Sequence, residues 1–145
     1  MSNLKIEDEH HVCRYCKPSS MGEDGLPLTS AFTLRTNEEY LSVNWLEYYK
    51  NLGISQAIDR VRKVVQRKMN IKFQGRFVTM QVGMLKQIVS TKNKVPCDVI
   101  HLPTMNDESH SGVIGYNNHN RLGQSDIVRL IQRKDVYLGK ISEDL

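Results

Sequence analysis

Three of the five histidines in this 145-residue chain, His101, His110 and His119, fall within HLPTMNDESHSGVIGYNNHN, residues 101–120. Two carboxylates, Asp107 and Glu108, lie among them. Imidazole titrates near neutrality, so two placed rings could take and return a proton during cleavage of a phosphodiester or ester. Lys94 or Arg121 would then steady the developing negative charge. The same stretch offers His101, Asp107, His110 and His119 as ligands to a hydrolytic metal ion. Neither chemistry has an established spacing behind it, since HExxH, HxxEH and a paired D-x-D are absent. His101, His110 and His119 stand nine residues apart in turn, so only hairpin pairing can bring them together. The plainer alternative is a polar loop, because PTMNDESHSG and NNHNRLG are rich in turn formers. His110, at the entry to SGVIGY, is the best placed of the three.

A second cluster lies in HHVCRYC, residues 10–16. His10, His11, Cys13 and Cys16 are soft or borderline ligands, and a Cys-x2-Cys turn can present both thiolates to one zinc ion. A second arm of that kind is missing, so a complete site would draw a further ligand from Cys97 or from residues 101–119. A redox dithiol needs a strand leading into a helix, and too little chain precedes Cys13 for that. The alternative is two unpaired thiols, with Cys97 filling a strand position.

Charge supplies the third signal. The chain carries a formal net charge of +4, with basic residues concentrated in DRVRKVVQRKMNIKFQGR, residues 59–76. Arg60, Lys63, Arg67 and Lys68 could attract phosphates or an acidic protein, and Trp45 and Tyr48 could stack bases or anchor a partner. Such a run is also what the solvated face of a helix looks like, and the aromatics could equally complete a core.

The elements that must position these groups can be read from period and punctuation. LSVNW, residues 41–45, alternates as a half-buried strand does. SQAIDRVRKVVQRKM, residues 55–69, runs an apolar stripe at helical spacing, with Ser55 as a cap. RFVTMQVG (76–83), CDVIHL (97–102), SGVIGY (111–116) and DVYLGKI (135–141) read as strands, and SAFTLR (30–35) as a short one. MLKQIVS (84–90) and QSDIVRLIQR (124–133) read as helices, the latter capped by Ser125. LEYYKNLG suits a turn or short helix, and Gly112 and Gly115 suit a close backbone approach or a bulge.

Strands and helices interleave without a regular βαβ period. The expected fold is therefore a small α+β domain, with a mixed or antiparallel sheet and two or three packed helices. Residues 1–145 read as a single domain, with 1–29 irregular at its start. With 39% hydrophobic and 25% charged residues, the chain is no disordered tail, and about two-thirds of its surface can be buried. The opening turns polar at once, and no run approaches the roughly 18 apolar residues of a spanning helix. Cytoplasm is the expected location.

Two functions follow as expectations. The first is an accessory or interaction domain that binds protein or nucleic acid through the basic helix and the aromatic patch. The second is a small hydrolase or nuclease built on the histidines of 101–119, with or without zinc.

Overall fold

The computed structural model describes residues 4–35, 38–93, 96–116 and 121–140, without the side chains of 92, 93 and 121–123. Six strands form one antiparallel sheet: β1 (His11–Cys16), β2 (Leu41–Trp45), β3 (Arg76–Gln81), β4 (Asp98–His101), β5 (His110–Ile114) and β6 (Val136–Leu138). Their order across the sheet is β4-β5-β2-β1-β3-β6. Three helices, α1 (Ile54–Lys68), α2 (Val82–Asn93) and α3 (Arg121–Leu130), complete the α+β domain.

Cross-strand partners share a face and successive residues alternate, so the register sorts every side chain. Cys13, Tyr15 and Phe77 face α1, whose Ala57, Ile58, Val61 and Val65 close one core with Leu46, Tyr49 and Ile71. Val12, Cys16, Leu41, Val43, Val78, Met80, Val99 and Val113 face the other way. There Val82, Leu85 and Val89 of α2 and Ile127 of α3, together with Phe32, form the larger core. The sheet is thus a middle layer with helices on both sides.

That layering explains where the sequence misleads. β1 lies inside the stretch expected to be irregular. It is buried on both faces apart from its first residue, which erases the polar/apolar alternation that marks a one-sided strand. Arg14 adds to the disguise, being a buried charge in mid-strand. SAFTLR is a 3-10 turn over Thr29–Phe32 instead of a strand, burying the adjacent Ala31 and Phe32. The N-cap of α1 is Gly53, whose N–H is accepted by Gln56 Oε1 at 3.3 Å, and Ser55 lies within the helix. Likewise α3 begins at Arg121, leaving Ser125 inside it.

Two glycines do what their surroundings require. A Cβ at Gly112 would lie 2.5 Å from the Tyr40 ring, and Gly115 has φ +92°. Among the described residues no helix is long and apolar enough to cross a membrane.

Candidate functional site

The hairpin of β4 and β5 decides how the histidines can cooperate. His101 pairs with Ser111 across the strands, while His110 precedes Ser111 on β5. The two imidazoles therefore leave opposite faces of the sheet and do not converge. His101 is buried between the rings of Trp45 (5.1 Å) and Tyr48 (5.2 Å), and its Nε2 donates to the Glu108 carbonyl at 2.7 Å. On the other face, His110 pairs with Asn44 of β2 and donates from Nδ1 to the Leu102 carbonyl at 2.9 Å. A carbonyl only accepts, so Nδ1 carries the proton and neutral His110 keeps its lone pair on Nε2. His119 and Lys94 lie outside the described residues, as does the side chain of Arg121.

Behind His110 runs a buried polar network. The Asp107 carboxylate, wholly shielded from solvent, accepts from Lys68 Nζ at 2.5 Å and from Asn44 Nδ2 at 2.8 Å. Asn44 also donates to Ser109 Oγ at 2.9 Å, and the Tyr49 hydroxyl reaches the same oxygen at 3.5 Å. This network ties the last turn of α1 to β2 and to the 104–109 turn. Lys68, expected on a partner-binding face, therefore neutralises a buried acid.

The zinc cluster does not assemble from the residues expected to hold it. Cys13 and Cys16 differ by three positions on one strand, so their thiols enter opposite cores. Burial pushes the Cys16 thiol up to about 12, and burial raises Cys13 as well. His10 Nδ1 accepts from Trp45 Nε1 at 3.0 Å, and His11 pairs through Nδ1 with Glu47 at 2.7 Å. Among the described residues no group of three or more His, Cys, Asp or Glu side chains could hold a metal ion.

The basic helix divides. Arg62 turns inward, pairing with Asp59 and donating from Nη2 to the Leu138 carbonyl at 2.7 Å. Arg60, Lys63 and Arg67 stay exposed on one stripe, with no ion pair among the described residues. Arg60 lies over the Tyr49 ring at 5.9 Å. Tyr48 packs edge-on against Tyr49 and Trp45, and its hydroxyl lies 3.4 Å from Glu108. The cations and the aromatic patch therefore meet at Tyr49, while Glu47 and Glu108 flank the far side.

Sequence reasoning missed a cavity. A chamber of about 110 Å³ is lined by Ser42 and Asn44 of β2, by Lys68 and His110, and by Arg14 and Arg35. It adjoins a wider cleft of about 640 Å³ that shares Arg14, Tyr15, Arg35 and Met69 and adds Lys17, Ser19, Ser30 and Thr33. Arg14 is held by the carbonyls of Ala31 (2.7 Å), Ser42 (2.8 Å) and Thr33 (3.4 Å), with Glu38 at 3.6 Å. Burial alone would raise the Glu38 carboxyl, but the Arg35 N–H and the Arg14 guanidinium outweigh it and hold the carboxyl below its usual range. One signal for this chamber was present in LSVNW. Ser42 and Asn44, the polar members of the alternation, are not turned to open solvent but line the cavity.

Comparison of the chain with family models, curated proteins and solved structures finds no match.

Proposed function

We propose that this chain is an interaction domain that uses the exposed face of α1 to bind a polyanionic partner, nucleic acid above all. The observation that carries it is the stripe of Arg60, Lys63 and Arg67, exposed and without ion pairs among the described residues. Over seven residues the stripe extends about 10 Å, enough to follow successive phosphates. Tyr48, partly exposed beside the buried Tyr49 over which Arg60 lies, adds a ring on which a base can stack. A cytoplasmic setting suits the three free cysteines.

Fluorescence anisotropy with a labelled single-stranded 20-mer, titrated with salt, tests this. Three phosphate contacts give a slope of log K against log salt of about −2. R60Q/K63Q/R67Q should lose that slope and at least tenfold in affinity. A triple variant that binds as the parent does would sink the idea. Competition by polyglutamate as strong as by the oligonucleotide would move the assignment to an acidic protein.

A second function, hydrolysis centred on His110 alone, is favoured by the Leu102 carbonyl that fixes its ring and by Lys68, which lines the same chamber. Oligonucleotide cleavage that is abolished in His110→Ala would support it, and cleavage that persists there would dismiss it.

A further inference from the structure

We infer that the chamber between Arg35, Lys68 and His110, with the cleft that continues it, is a binding site for a phosphomonoester of about nucleotide size. Three cations, Arg14, Arg35 and Lys68, border the chamber against two carboxylates, Glu38 and Asp107, so one positive charge is left over. Lys17 adds another at the wider cleft.

Donor capacity points the same way. Arg14 directs its N–H groups at three backbone carbonyls and serves as a buried source of positive field. Arg35 differs: its side chain is 50% exposed, and Glu38 meets it only at 3.8 Å. The Lys68 ammonium has three protons, of which Asp107 takes one. These two groups line the chamber with donors to give, and Ser42 lines it with them. With Nδ1 committed to Leu102, His110 offers Nε2 as a lone pair to a protonated phosphate oxygen, or as a donor once the ring is charged.

Size divides the site in two. The inner 110 Å³ accommodates a tetrahedral oxyanion and little else. The 640 Å³ cleft lies in the range of small-molecule sites, and the hydroxyls of Ser19, Ser30 and Thr33 suit a sugar. The phosphate belongs in the chamber and its ester substituent in the cleft. A phosphomonoester reaches such a site either as a free metabolite or as the 5′ end of a nucleic acid, and both present the same group. This site is independent of the α1 stripe.

Calorimetry with 5′-AMP, against adenosine as the control without phosphate, is the direct test. AMP should bind saturably and at least tenfold more tightly than adenosine. Arg35→Gln should weaken AMP at least tenfold while leaving the thermal midpoint near that of the parent. Lys68→Met should weaken it too, but strips a buried acid of its partner, so Ser42→Ala serves as a second folded variant, with an expected loss of threefold or more. R60Q/K63Q/R67Q should keep AMP binding intact, which separates this site from the α1 surface. In parallel, a 5′-phosphorylated oligonucleotide is compared with its 5′-hydroxyl form. A tenfold preference erased by R35Q, without binding of free AMP, assigns the site to nucleic-acid ends. Equal binding of AMP and adenosine, together with no preference for the 5′-phosphorylated oligonucleotide, overturns the inference, as does an R35Q protein that binds both phosphorylated probes like the parent.

Discussion

Lys68→Met removes the ammonium from a carboxylate that has nowhere else to go. Asp107 has no exposed side-chain surface, whereas Lys68 retains 34%. Breaking a buried pair from one side costs about 3–5 kcal/mol, because the surviving charge remains in a medium that solvates it poorly. The adjoining chamber lets water approach the vacated position, which places the cost near the lower bound, at about 3 kcal/mol. That is about a hundredfold in the folded-to-unfolded ratio, and about 10 °C in melting temperature for a chain of this size. Adding Asp107→Asn removes the orphaned charge and leaves mainly lost hydrogen bonds, each worth about 1 kcal/mol. Urea denaturation of the two single variants and the double should therefore give a double variant more stable than K68M alone, with a coupling above about 1 kcal/mol. Additive variants, or a K68M protein within about 0.5 kcal/mol of the parent, would show that the Asp107 carboxylate does not depend on Lys68.

Burial raises the Cys16 and Cys97 thiols to about 12 from an ordinary 9.0. The unfolded chain therefore releases these protons first, and stability should fall as pH rises from 9.0 towards about 12. Urea midpoints across that window should decline less steeply in Cys16→Ala, and an unchanged slope would contradict the assignment. Gly112→Ala drives a methyl group into the Tyr40 ring 2.5 Å away and should cost about 1–3 kcal/mol, with Tyr40→Ala relieving most of it in the double variant. Zinc added to the purified protein should bind no more tightly to the parent than to C13S/C16S, as measured by a chelator-dye competition. A stoichiometric site lost with those cysteines would contradict the opposed placement of their thiols.

Most elements were legible in the sequence wherever apolar residues recur with the period of a strand or a helix. LSVNW, the stripe of α1 and β4 carry that period, although the polar members of LSVNW line a cavity instead of meeting solvent. β1 was not legible, because a strand covered on both sides has no alternation to show, and because Arg14 reads as a surface residue until its carbonyl partners are known. The site was legible only in part. His110 stood out by its place at a strand entry, and it does line a cavity. His101 looked equivalent in composition, yet parity in the hairpin sends it to the opposite face. Cys13 and Cys16 present the same lesson, since a spacing that chelates from a turn separates its thiols on a strand. Ser42 and Asn44 stood out by their alternation on one strand, but Arg35 gave no signal that it would join them, because its place at the cavity is a tertiary feature.

Arg14 has a consequence for how reliably the chain finds its fold. A strand with apolar residues on both faces is open to a slip of one residue, exchanging one set of apolar side chains for the other. Here that slip would place a guanidinium under α1, among Ile58, Val61 and Phe77, out of reach of the three carbonyls and of Glu38 that satisfy it. Stranding a buried charge in this way costs several kcal/mol, comparable with the whole margin of stability of a small domain. The one charged residue in the middle of the sheet therefore works as a locating pin: it admits β1 in a single alignment, and it makes every neighbouring alignment self-rejecting.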